Sequence, residues 1–164
     1  MVKRQPATIH YTADVVLLAP VDNRLSVLLV ERAHEPYAGK WALPGGHVDS
    51  WIGNGGKLNG ETSREAARRE LREETGINIK AHDLMEVGAY DEIGRDPRGH
   101  YVTMVYAAML DAPAEPTPGT DASRVAWHPA LDTPDLAFDH AAILHDLIGG
   151  MIAKPVVTRR RRTA

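Results

Sequence analysis

The chain reads as a single mixed α/β domain, and three observations predict it. Two β-branched and Leu-rich runs, 13–19 and 25–30, open the chain, each short and bounded by turn residues. A charged segment near the middle carries both a helix start and a helix stop signal. A strongly strand-forming stretch, 100–110, is then followed by a second helical segment. At 164 residues, with 43% apolar and 25% charged residues, the chain fits one domain with a real core.

The elements follow in order. Residues 13–19 and 25–30 flank Pro20-Val21-Asp22-Asn23-Arg24 and are expected to pair as a buried hairpin. Residues 33–40, with Pro36 and Gly39, form a loop, and Trp41-Ala42-Leu43 is a short strand broken by Pro44-Gly45-Gly46. Thr62-Ser63-Arg64-Glu65 has the form of a capping box, so a helix starts near Thr62 or Ser63. Gly76 sits where a left-handed residue would stop it. Residues 84–93 read as a strand, and 100–110 as the strongest one, through Tyr101, Val102, Thr103, Val105 and Tyr106. A Pro-rich loop, 112–120, precedes a short strand at 124–128. The last helix is expected to begin near Phe138-Asp139-His140 and to end at Gly149-Gly150. The domain spans 1–152, and the basic stretch 153–164 is expected to be a flexible tail.

Composition removes several function classes. A net charge of -3 argues against a general nucleic-acid or membrane-surface binder. Without cysteine there is no disulfide framework, thiolate nucleophile or Cys-based zinc site. No signal-peptide core or run of about eighteen apolar residues is present, so a cytoplasmic location is the default.

The chemistry concentrates in the central helix. Glu70, Glu73 and Glu74 are spaced i, i+3, i+4, which puts three carboxylates on one face. Such charges repel unless a cation sits among them, and hard divalent ions such as Mg2+ take oxygen ligands of this kind. The blander reading is a solvated helix held by i, i+4 ion pairs. It explains the charge content but not the Gly, Glu and Arg at fixed offsets.

Those offsets are Gly55, five residues, Glu61, seven residues, then Arg69-Glu70-Leu71-Arg72-Glu73-Glu74-Thr75-Gly76-Ile77. They match the Nudix box at all nine specified positions over twenty-three residues. The chain therefore resembles the Nudix hydrolase superfamily. The resemblance implies an α/β/α sandwich with a mixed sheet, and metal-dependent hydrolysis of a nucleoside diphosphate linked to another moiety. It carries metal binding to Glu70, Glu73 and Glu74, with Mg2+ or Mn2+ as the ion, and gives Arg69 an orienting role against Glu61 or Glu70. Asp121, just ahead of the strand ending at Trp127, occupies the place of a loop acid that serves as general base; a turn-capping role is equally open.

One feature departs from the family pattern. Leu43-Pro44-Gly45-Gly46 matches the strand end that usually precedes the first box glutamate, yet Glu61 comes fifteen residues after Gly46. Residues 49–59, rich in Gly and Asn, read as a loop-like insertion. Gly46, at a strand end, is then the glycine expected to lend its carbonyl to the metal, in place of Gly55. Substrate contacts implied by the resemblance are Arg32, Arg95, Arg98, Asp139 and His140. Asp139 also reads as an N-cap, and the arginines also read as plain surface.

The stretches 35–46, 95–98 and 136–144 resemble the ADP-ribose pyrophosphatase group, and occur as well in Nudix-type transcriptional regulators. The first expectation is cleavage of ADP-ribose to AMP and ribose 5-phosphate. A pyrophosphohydrolase for modified nucleoside triphosphates is the alternative, followed by a non-catalytic nucleotide sensor. The resemblance also leaves a homodimer open.

Overall fold

A computed structural model describes residues 6–119 and 122–153. β1 (Ile9–Val21) and β2 (Arg24–Arg32) form the expected hairpin. Its turn is tighter than the linker suggested. β1 continues through Pro20 and Val21, and Asp22 and Asn23 reverse the chain with φ of 47° and 61°. Asp and Asn tolerate the left-handed region that such a two-residue turn requires.

Two short strands follow, β3 (Trp41–Ala42) on β2 and β4 (Gly45–His47) on β1. β5 (Ser50–Ile52) and β6 (Leu58–Gly60) pair only with each other. After the helix α1 (Ser63–Thr75) come β7 (Met85–Tyr90), β8 (His100–Met109), β9 (Ala122–Pro129) and the helix α2 (His140–Ala153). The main sheet runs β3-β2-β1-β8-β7, with β4 also on β1 and β9 also on β2. β1 and β8 are parallel over ten residue pairs, and the other pairings are antiparallel, so the sheet is mixed.

Side-chain alternation sends the sheet's two faces to different helices. Ala13, Val15 and Leu17 of β1, Leu28 of β2 and Tyr106 of β8 pack with Ala66, Ala67 and Leu71 of α1. Val16 and Leu18, Val27 and Leu29, and Val105 and Ala107 pack with Ile143, Leu144 and Ile148 of α2. This is the α/β/α sandwich that the resemblance implies. Among the described residues no helix is long and apolar enough to cross a membrane.

Two expectations are corrected. α2 passes through Gly149 and Gly150 instead of stopping there. A glycine in a helix costs about 1 kcal/mol, which weakens a helix without ending it. The stretch 49–59 is a β-hairpin, with Ser50 opposite Gly60, Trp51 opposite Asn59 and Ile52 opposite Leu58. Its glycines are confined to the tip, where Gly55 and Gly56 take φ of 74° and 75° and Gly53 N–H donates to the Lys57 carbonyl at 2.8 Å. Apolar residues on the arms supply the strand preference that the glycine count obscured. The basic tail lies outside the described residues, apart from Ala153 at the end of α2.

Candidate active site

α1 is fixed at both ends. Thr62 caps it through a reciprocal box with Glu65, and Gly76, at φ 71°, closes it by donating to the Arg72 carbonyl. Burial of Ala66, Ala67 and Leu71 on the sheet sets the helix's rotation, which turns Glu70 and Glu74 toward β4. There the Gly45 N–H donates to Glu74 Oε2 at 3.0 Å. Gly46 lies directly against Glu70, and a Cβ on it would stand 2.5 Å from the Glu70 carboxyl carbon. The site needs glycine at 46 because a carboxylate already fills the space.

Glu70, Glu74, Gly45 and Gly46 line a cavity of about 490 Å3. Burial pushes the Glu74 carboxyl up to about 8, with Glu70 and Asp14 adding repulsion against the Gly45 hydrogen bond. Burial also raises Glu70, against the pull of Arg69. Arg69 acts as a clasp. It donates to Glu61 Oε2 at 3.1 Å, Glu70 Oε1 at 2.7 Å, Glu73 Oε2 at 3.2 Å and the His47 carbonyl at 3.0 Å. Hydrogen bonding to Arg69 holds the Glu61 carboxyl below its ordinary range. Glu73 is half exposed and turned to Arg69 and Arg72.

Among the described residues, no three acidic or histidine side chains converge as a ready-made metal cage. The donors that do converge still suit a hard divalent ion. Two carboxylates destabilised as anions by burial and neighbouring acids, beside the half-buried backbone of Gly45 and Gly46, make a partial oxygen shell of the kind that water and phosphate complete.

The same cavity also has a basic and aromatic lining. Arg32, Arg98, Tyr101 and Phe138 line it. The Arg32 guanidinium lies 4.9 Å from the Phe138 ring centre, and that of Arg98 lies 4.8 Å from Tyr101. Burial, then the neighbouring Arg98, lowers the Arg32 pKa. Arg98 is braced by both oxygens of Asp96, at 3.0 and 2.6 Å. Phe138 takes φ 54°, a strained value for an aromatic residue.

Other expected contacts are spent within the protein. Arg95 is buried and its fork closes on Asp139 at 2.8 and 2.6 Å. The Asp139 carbonyl accepts from Ala142 and Ile143, so its backbone starts α2 while its side chain holds Arg95. His140 is buried, and its Nδ1 accepts the Leu43 N–H at 2.9 Å. Asp121 lies outside the described residues; the loop before it is tied to α1, where Gly119 N–H donates to the Glu74 carbonyl at 3.0 Å.

Sequence reasoning missed Asp14, Thr103 and Tyr101. Asp14 is a buried carboxylate on the cavity wall whose Oδ2 accepts from Thr103 at 2.7 Å. The signal was present: an acid heading a run of buried apolar residues needs a partner or a purpose.

Comparison with known proteins identifies the family. A NUDIX domain model matches residues 8–147. An ADP-ribose pyrophosphatase of Methanocaldococcus jannaschii is 36% identical over 145 residues, 88% of this chain and 77% of that protein. An ADPR responsive transcriptional repressor, NtrR, of Acinetobacter baylyi is 32% identical over 87% of this chain, which spans only 53% of the repressor. The NUDIX domain of Shewanella oneidensis NrtR, solved with ADP ribose, superposes with a TM-score of 0.73 at 29% identity, covering 88% of this chain and 90% of that one. A box helix with its carboxylates against a glycine strand end, a sandwich of the matching fold and a domain match over most of the length have one reading: the chain belongs to the Nudix family.

Proposed function

We propose that this Nudix pyrophosphohydrolase cleaves the phosphoric anhydride of ADP-ribose, giving AMP and ribose 5-phosphate. The observation that carries the reading is a single cavity lined both by acidic Glu70 and Glu74 and by basic Arg32 and Arg98. A diphosphate flanked by two sugars needs both: an oxygen-ligand site for a cation on the phosphates, and guanidinium groups for the remaining negative charge. The similarity to an ADP-ribose pyrophosphatase supports the choice of substrate.

In this reading Glu70, Glu74 and the Gly46 carbonyl would hold Mg2+ or Mn2+, with Glu73 as a further carboxylate of the set. When bound, such an ion neutralises phosphate charge and lowers the pKa of a coordinated water. Arg69 holds Glu70 and Glu61 in register, and Arg32 and Arg98 orient the diphosphate. Arg95 and Asp139 brace the basic wall through each other. Asp121 is the proposed base that activates water, a role worth about 10²–10⁴-fold. An Asp121→Asn enzyme with kcat within twofold of wild type moves the base to a box glutamate. A cytoplasmic location and a homodimer belong to the same proposal, and cell fractionation and light scattering test them.

The deciding experiment is a substrate panel with Mg2+ and Mn2+: ADP-ribose, NADH, diadenosine polyphosphates and oxidised nucleoside triphosphates. ADP-ribose should give the highest kcat/KM. Faster turnover of any triphosphate overturns the substrate. Tight ADP-ribose binding without turnover replaces the enzyme with a sensor, the reading favoured by the similarity to the repressor.

A further inference from the structure

The turn that brings Gly45 and Gly46 to the carboxylates is itself held by something. Leu43-Pro44-Gly45 is fastened at three levels. Gly45 and Gly46 are in register with Asp14 and Ala13 of β1. The Pro44 carbonyl accepts the Val15 N–H at 2.8 Å. The Leu43 N–H goes to His140 Nδ1 at 2.9 Å, ninety-seven residues away. Apart from the Gly45 N–H bond to the Glu74 carboxylate, only this last fastening uses a side chain, and it comes from the first residue of α2.

The chemistry of that bond is restrictive. A ring nitrogen that accepts an amide N–H carries no proton, so His140 is neutral with its hydrogen on Nε2. Nε2 faces Asp14 Oδ2 at 3.9 Å, and Thr103 fixes that oxygen at 2.7 Å. Nδ1 is thus committed to the strap that carries the glycines, while Nε2 lies near a carboxylate on the cavity wall but beyond hydrogen-bonding distance of it.

We infer that His140 is a positioning residue whose Nδ1 fixes the 43–46 strap against Glu70 and Glu74, and so sets the affinity of the metal site. The inference rests on the reading that these two glutamates hold the ion. It follows from leverage. Leu43 and Gly45 are separated only by Pro44, whose φ is locked, so movement at the Leu43 amide passes to the Gly45 N–H that steadies Glu74. Removing a partner that acts behind a metal ligand typically weakens metal binding about 10–100-fold.

Two variants separate this role from simple packing. His140→Asn places an amide oxygen near the Nδ1 position, whereas His140→Gln places its polar end near Nε2 and leaves the Leu43 N–H unpaired. Mn2+ affinity of the substrate-free protein, read by electron paramagnetic resonance, should stay within about threefold of wild type for Asn. It should fall about tenfold or more for Gln. For ADP-ribose, Gln should lower kcat more than it raises KM. Equal Mn2+ affinity in both variants overturns the inference. Should neither variant fold, long-range 15N–1H spectra of the wild-type ring decide: a neutral Nε2–H tautomer supports the inference, and an Nδ1–H tautomer or an exchanging mixture overturns it. Wild-type protein that binds no Mn2+ overturns the metal reading beneath it, a result distinct from wild type and both variants binding alike.

Discussion

Gly45-Gly46 and Gly55-Gly56 are the same dipeptide ten residues apart, and the fold uses them in opposite ways. The first pair is sheet-bound, with β1 on one side and the Glu70 and Glu74 carboxylates on the other. The second sits at a hairpin tip, where an added Cβ would meet nothing within 4 Å. Counting along the box selects Gly55, whereas of the two pairs it is Gly45-Gly46 that adjoins the carboxylates. The difference arises because β5 and β6 return the chain to its starting point, where the Glu61 N–H donates to the Asp49 carbonyl at 3.0 Å. A hairpin at this place lengthens the sequence count while bringing the chain back to where it left, and loop closure makes such lengthening inexpensive.

The contrast can be broken experimentally. The largest effect is expected at the carboxylate beside the first pair: Glu74→Gln should lower kcat on the order of 10²–10³-fold with the fold intact. Activity near wild type in saturating Mg2+ would remove Glu74 from the site. Gly46→Ala should follow, because its methyl displaces Glu70; misplacement of about 1 Å costs roughly 10²-fold in kcat/KM. If Gly55→Ala lowers kcat/KM more than Gly46→Ala, the working glycine is Gly55.

The third test uses pH. In metal-free protein the Glu74 carboxyl keeps its proton up to about 8, whereas the ordinary value is 4.5. The folded state therefore binds more protons than the unfolded state between those values. The contribution of this group to stability is greatest below 4.5 and is lost as pH rises toward 8. Metal-free melts should show a lower Tm at pH 8 than at pH 5 through this group, a slope that Glu74→Gln flattens and Gly55→Ala leaves unchanged. Identical slopes in wild type and Glu74→Gln would show that Glu74 is not buried as described.

Smaller effects mark the second pair. Joining Asp49 to Gly60 through a tight turn should leave Mn2+ affinity within a few-fold. Lost affinity in a folded variant would give the hairpin a share in the metal site. Gly55→Ala should cost only about 1–2 kcal/mol in denaturant titration, the strain of a left-handed alanine. No measurable cost would mean that the tip relaxes freely.

What the sequence revealed depended on how local each signal was. Thr62, Glu65 and Gly76 announce the helix ends through contacts made within a few residues, and the structure shows each in its expected role. The strands at 13–19 and 100–110 were visible from their side chains alone, but not their parallel pairing. The acidic wall was readable because Glu70 and Glu74 share one helix. The role of His140 was not, because its partners, Leu43 and Asp14, belong to distant strands and a loop. The expected stop at Gly149-Gly150 failed for the opposite reason: a local preference worth about 1 kcal/mol was read as decisive.

The parallel pairing of β1 with β8 has a consequence for how the molecule assembles. Ile9 lies opposite His100 and Leu18 opposite Met109, so the central seam joins segments about ninety residues apart. Closing so long a loop must precede the contacts that reward it, which places this topology among slower folders. The β5–β6 hairpin and the capped α1 need only nearby residues and are free to form early. The Thr103–Asp14 bond, by contrast, spans the seam itself. The carboxylate wall therefore acquires its final shape only when the slowest step is complete. In a refolding experiment, Mn2+ binding should return with the rate constant of global folding and show no earlier phase.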